Sequence, residues 1–261
     1  MACVFEAKVN PVIRVLAIGQ SNMACIAQAT ELMQQESRFP PGLSFTFIQM
    51  REEKYNPYLP DANNRDRLNP AVEEDVKAHL ADSDLVVSYL GGNAHSVMGL
   101  LNHTRAYDFT FTAADDLDRN REMVPRDLVR SSLRDSMADH LKMFSALRGL
   151  IDKPMIHCES PPPIPSDQHI RNHPGVFANR IEIKGIAPAS FRLKLWKLQS
   201  EIYREFCAAN TIEFLTIPEE TADAEGLLRS EAWGTDPTHG NIWYGEQSIN
   251  RLARHLSTSN R

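Results

Sequence analysis

No apolar stretch in this 261-residue sequence approaches the roughly 18 uninterrupted residues that cross a bilayer, so a membrane-spanning helix is not expected. Cysteine is scarce as well. Four residues, at positions 3, 25, 158 and 207, with no C-x-x-C pair, provide no disulfide framework for a chain of this length. Cys158 and Cys207 read as small core hydrophobes, and no metal or other cofactor is implied. A basic excess is also missing: 28 Lys and Arg against 34 Asp and Glu give a formal net charge of −6. Without an overall positive field, neither a nucleic acid nor an anionic membrane is the expected partner. The first 30 residues lack the basic, apolar and small-residue succession of a secretion leader, and a soluble cytoplasmic protein is the expectation.

What is present is an ordinary globular balance, 42% hydrophobic and 24% charged. Five short apolar runs, near residues 12–19, 43–50, 84–90, 153–159 and 211–217, read as strands. Segments of helical period separate them: from Asn22 to about Glu36, from Asn69-Pro70 to Leu80, across Pro125 to Leu150, and from about Pro188 to Ala208. In the third of these, Leu128, Leu133, Met137, Leu141, Phe144 and Leu147 form the expected apolar stripe. A last helix is expected from about Gly245 to Leu256. Such alternation implies an α/β fold with a parallel sheet covered on both faces, because parallel neighbours need crossover connections. No repeat or linker divides the chain, so residues 1–261 read as a single domain. Long loops near 91–124 and 161–187 leave the carboxyl ends of strands, where sheets of this kind place their sites.

Three short motifs fall at those ends. In Gly19-Gln-Ser21-Asn22, a serine sits where the first strand turns into a helix, with its own N–H at a helix N-terminus that favours developing negative charge. The same serine could simply be an N-cap. Gly91-Gly92-Asn93 closes the third strand and offers amide N–H donors to a cleft, or is a plain turn. Asp236-Pro-Thr-His239 precedes the last helix. A carboxylate three residues from a histidine can fix its tautomer, though Asp-Pro-Thr is also a common turn sequence. His157-Cys158 does not form a nucleophile–base pair, because neighbours on a strand point to opposite faces.

These motifs together resemble the SGNH (GDSL-like) hydrolase superfamily, and Gly-Gln-Ser-Asn is similar to the variant in sialate O-acetylesterase-like carbohydrate esterases. The resemblance implies a three-layer α/β/α sandwich with a five-stranded parallel sheet, flavodoxin-like. It implies Ser21 as nucleophile, Asp236 and His239 as triad acid and base, and the Ser21 N–H with Asn93 as oxyanion donors. The expected activity is hydrolysis of an acyl ester, acetyl first, of a carbohydrate or similar small substrate. The rivals are an O-acyltransferase using the same serine, and an inactive binding module on the same fold. The last is prompted by the family's second-block glycine, for which no glycine exists between Gly42 and Gly91. Either a backbone N–H between Arg51 and Asn64 takes that role, or the oxyanion hole has only two donors. His95, His169, Arg171 and His173 are expected to bind substrate from the long loops, with an ordinary loop, rather than a metal site, as the setting of His169 and His173.

Overall fold

The β-branched run Ile-Arg-Val-Leu-Ala-Ile-Gly becomes β1 (Ile13–Gly19), whose last five residues are buried on both faces. The structure, a computed structural model, describes residues 12–60, 67–113, 115, 117–118 and 120–259; Cys3 and residues 61–64 lie outside that set. After β1 come α1 (Ala24–Gln35), β2 (Leu43–Gln49), α2 (Pro70–Leu80), β3 (Leu85–Tyr89) and α3 (Ala94–Gly99). Two-residue strands β4 (Tyr107–Asp108) and β5 (Glu122–Met123) pair with each other, followed by α4 (Arg126–Ser136), α5 (Ala138–Leu150) and β6 (Met155–Cys158). The chain continues through α6 (Asp167–Asn172), α7 (Ala178–Lys184), α8 (Ala189–Ala209), β7 (Glu213–Leu215) and α9 (Ile242–Ser259).

The main sheet is five-stranded and all parallel, in the order β2-β1-β3-β6-β7. This is the flavodoxin-like winding. β1 lies between β2 and β3, with Gly19 opposite Gln49 on one side and Tyr89 on the other. The winding reverses between β1 and β3, and the carboxyl edge beside that point is the preferred place for a site.

Alternation along the strands divides the core into two layers. Leu16, Ile18 and Val86 pack with Val72, Leu133, Phe144 and Leu198, while Val15, Ala17 and Val87 pack with Ile26, Met33, Ile249 and Leu252. Full burial of one such side chain contributes about 2 kcal/mol, whereas an exposed ion pair adds about 1 kcal/mol or less. The two apolar faces therefore hold the sheet, and surface pairs such as Arg14–Asp84 at 2.8 Å only trim it.

Two expectations about elements are corrected. The stretch 125–150 is two helices, broken at buried Met137, where the Ser136 hydroxyl bonds back to the Leu133 carbonyl at 2.6 Å. Leu128 is 59% exposed, because Val129 and Leu133 set the buried face and Leu128 falls just off it. The stretch 161–187 is not a structureless loop. It contains α6, capped by the Ser166 hydroxyl accepting from the His169 N–H at 3.1 Å, then a 3-10 turn and α7. His169 thus lies on a helix, with His173 at its C-cap.

Candidate active site

Ser21 stands at the carboxyl end of β1. The chain leaves Gly19, makes one 3-10 turn over Ser21–Met23 and continues into α1. Gln20 and Met23 hold the cap positions of these two helices, so Ser21 is not an N-cap. Its hydroxyl instead lies 3.4 Å from the Asn93 amide nitrogen, and its backbone N–H has no acceptor among the described residues.

Asn93 is delivered by Gly91 and Gly92, at φ of +67° and +95°, conformations in which side chains are strained. Space forbids a side chain too: a Cβ on Gly91 would strike the Tyr203 hydroxyl, and one on Gly92 would strike Asn22 and Ser160. The loop is gripped from both sides. Gln20 Oε1 accepts from the Gly91 N–H at 3.0 Å, and Gln199 of α8 donates to the Gly92 carbonyl at 2.8 Å while accepting from the His95 N–H at 3.0 Å. Asn93 is the N-cap residue of α3 by position, yet its side chain makes no capping bond. Its amide is free to face the site.

His239 and Asp236 arrive from the opposite end of the chain, on the turn before α9. Helix α9 packs on α1 through Gly245, whose missing side chain lets the helix approach the Cys25 carbonyl and Ala29. Asp236 Oδ2 meets His239 Nδ1 at 2.8 Å. The other carboxylate oxygen accepts from the Thr238 N–H at 2.7 Å and the His239 N–H at 3.1 Å, which freezes the turn. Burial opposes ionisation of Asp236, but the hydrogen bond and charge of His239, with the Thr238 donors, bring its pKa down to about 2.

The Asn93 amide nitrogen also lies 3.2 Å from His239 Nε2. An amide NH2 only donates, so Nε2 is the accepting nitrogen and Nδ1 carries the proton directed at Asp236. That is the tautomer a general base requires. Ser21 and His239 make no direct hydrogen bond: the amide of Asn93 stands between them and touches both.

Beside Ser21 opens a cavity of about 430 Å³ whose walls include Arg51, Tyr58, Val97, Met137 and His140. Sequence reasoning singled out none of these as binding residues. Arg51 follows β2 directly after Met50, whose N–H still bonds to the Gly19 carbonyl at 2.8 Å. The Arg51 N–H is the first past the strand and has no acceptor among the described residues. A signal for it existed in its place one residue past the end of an apolar run, at the same sheet edge as Ser21. Burial holds the His140 imidazole below its usual range.

The expected substrate residues lie elsewhere. His95 is 3% exposed and points its Nε2 at the Ser96 hydroxyl, 3.0 Å away, with burial depressing its pKa to about 4, so it does not line the cavity. A helical turn after Asn93 carries it inward. His169 binds the Gly234 carbonyl at 2.9 Å and packs against Trp233 and His173. It braces the turn that bears Asp236 and His239 rather than the cavity at Ser21. Neither exposed Arg171 nor His173 lines that cavity. His157 and Cys158 do face opposite layers: His157 Nδ1 meets the Ser88 hydroxyl at 3.1 Å among Phe144 and Tyr203, and Cys158 packs in the other layer. Among the described residues, no group of three or more His, Cys, Asp or Glu is placed to hold a metal ion.

No protein-family model matches the sequence, and no curated protein matches it. Solved structures do. A gut microbial diltiazem-metabolizing enzyme superposes with a TM-score of 0.50 at 11% identity, over 95% of this chain and 47% of that one. The periplasmic domain of a lipopolysaccharide acetyltransferase from Salmonella ser. Paratyphi A gives 0.49 at 11% identity, over 95% and 85% of the two chains. A GDSL-like lipase from Bacteroides thetaiotaomicron gives 0.45 at 13% identity, over 94% and 88%. At such identities the likeness is one of fold. The chain has a flavodoxin-like α/β fold, with a serine after the first strand, Gly-x-Asn after the third and Asp-x-x-His before the last helix, motifs that resemble those of the SGNH (GDSL-like) hydrolases.

Proposed function

We propose that the protein is a serine ester hydrolase that removes a short acyl group, acetyl first, from a hydroxyl of a carbohydrate or similar small substrate. The observation that carries this reading is the continuous contact from Asp236 through His239 and Asn93 to Ser21, at the switch point of the sheet. The motif resemblance supports the choice of an ester.

In the proposed reaction, Asn93 turns its amide from His239 as substrate enters, and Ser21 Oγ takes its place beside Nε2. The Ser21 oxygen attacks the ester carbonyl and its proton passes to Nε2, with Asp236 balancing the imidazolium. The carbonyl oxygen becomes an oxyanion held by the Ser21 N–H and the Asn93 amide, with the Arg51 N–H as third donor in place of the absent glycine. Collapse expels the alcohol, which takes the proton from Nε2, and leaves an acyl-Ser21. Water, deprotonated by the same Nε2, then releases the acid and restores the serine.

The test is turnover of a generic acetyl ester by the wild-type chain and by Ser21→Ala. Hydrolysis lost in the variant supports the reading; hydrolysis retained in it removes Ser21 as nucleophile. No turnover by either protein would favour the non-catalytic alternative, for which the Asn93 amide between Ser21 and His239 is the supporting feature.

A further inference from the structure

The cavity beside Ser21 has an unusual charge content for a protein with six more acidic than basic residues. No Asp or Glu lines it among the described residues, and its one full charge belongs to Arg51. Several arginines elsewhere pair with acids, among them Arg14 with Asp84, Arg38 with Glu246 and Arg126 with Glu201, while others meet backbone carbonyls, a hydroxyl or an aromatic ring, as Arg148, Arg251 and Arg204 do. Arg51 makes no ion pair or side-chain hydrogen bond with a described residue. The acids next to it in sequence do not serve it. Glu52 lies 3.4 Å from Lys54, and neither Glu52 nor Glu53 lines the cavity.

Gln20 and Ser136 also line the cavity but engage backbone partners with their side chains, whereas the side chains of Tyr58 and His140 make no hydrogen bond with a described residue. A planar guanidinium presents paired N–H donors that match a carboxylate in two parallel bonds. Arg51 is exposed and Val97 on the same wall is 71% exposed, so a carboxylate can reach the guanidinium directly from solvent. The volume of about 430 Å³ also exceeds what an acetyl group fills.

We propose that Arg51 is a specificity-determining residue that receives a carboxylate carried by the substrate while Ser21 attacks the ester. This rests on the hydrolase reading above. The carboxylate has two possible sources, the acyl group of a dicarboxylic monoester or the alcohol of an acylated uronic acid, and the chemistry of recognition is common to both.

Two pairs of esters test it: the mono-4-nitrophenyl ester of succinic acid against its methyl-capped form, and O-acetyl glucuronate against O-acetyl glucose. In at least one pair the wild-type protein should prefer the anionic member by about tenfold or more in kcat/KM, since hydrogen bonds to charged groups contribute on that scale. That preference should disappear in Arg51→Gln, persist in part in Arg51→Lys and invert in Arg51→Glu, in proteins of unchanged melting temperature. The pair that shows it identifies the source. Ratios within about twofold in wild type for both pairs, or an unaltered preference in Arg51→Glu, would overturn the proposal while leaving ester hydrolysis intact. If no ester is turned over, the hydrolase reading fails, and succinate and glucuronate titrated into Ser21→Ala decide about Arg51 alone. Saturable binding that is lost on adding Arg51→Glu supports the carboxylate site, and absence of binding by both anions overturns it.

Discussion

Asn93 donates to the ring nitrogen of His239 that a nucleophilic serine must use, with 3.2 Å between amide nitrogen and Nε2. The same amide lies 3.4 Å from the Ser21 hydroxyl, so the resting site is latched by the residue assigned to the oxyanion. Replacing it has two opposed effects: the latch opens, and a transition-state donor is lost. The donor dominates. Asn93→Ala should lower kcat on a small acetyl ester by about a hundred- to a thousandfold, with a much smaller change in KM. A rise in kcat would mean that the latch outweighs the oxyanion contact.

Asp236→Asn should reduce kcat by about four orders of magnitude, because an amide at this position can donate to Nδ1 and leave the proton on Nε2. The stability consequence has a definite sign. Burial alone would raise the Asp236 pKa, but His239 and Thr238 bring it from the model-compound 3.8 to about 2. The folded state therefore binds this proton less readily than the unfolded chain, and the ionised contact stabilises the fold at pH above about 4. Urea titrations should show wild type more stable than Asp236→Asn at neutral pH, with the gap shrinking as pH falls from about 4 to about 2.

An organophosphate or sulfonyl fluoride should leave one adduct, on Ser21. The described cysteines should stay unlabelled near neutral pH, because burial pushes the thiols of Cys25, Cys158 and Cys207 up to about 12. Peptide mapping by mass spectrometry reads this directly, and a label on Cys158 would contradict the assignment.

Gly91→Ala should cost about 2 kcal/mol or more, since a side chain at φ +67° is strained and meets the Tyr203 hydroxyl. Chemical denaturation measures it. Gly42→Ala is the control, because a Cβ there meets nothing within 4 Å.

Much of this architecture was legible because strong local signals agreed with the tertiary environment. Asn69-Pro70 gave the start of α2, and its side chain does accept from the Ala71 N–H at 2.9 Å. The apolar runs gave all five sheet strands: β1, β3 and β6 are largely buried and leave little room for polar residues, and the edge strands β2 and β7 still carry aromatic residues, with β-branched ones in β2. The site was legible at Asp236 and His239, where three residues of spacing and a turn suffice for contact. Other features depended on contacts distant in sequence. The face of α4 was misread at Leu128 because apolar residues occur at phases that either face would accept, and packing chose Val129 and Leu133. His95 follows Asn93 closely, yet Gln199 of α8 takes its backbone and the helical turn buries its ring. Arg51 stood out in the sequence only as the first residue of the stretch that could supply a backbone donor; its side chain went unnoticed because a single arginine past a strand has no pattern, and its meaning comes from the cavity it shares with Ser21.

The docking of α9 on α1 through Gly245 has a kinetic consequence. Ser21 lies on the turn that follows β1, whereas Asp236 and His239 lie on the turn that precedes α9, so the chemical groups meet only after a contact very distant in sequence has formed. During synthesis the nucleophile's strand and helix leave the ribosome before the segment that bears the base. A partly made chain therefore holds a serine without a partner, and the appearance of activity in a refolding or translation time course marks the seating of the final helix rather than the assembly of the sheet.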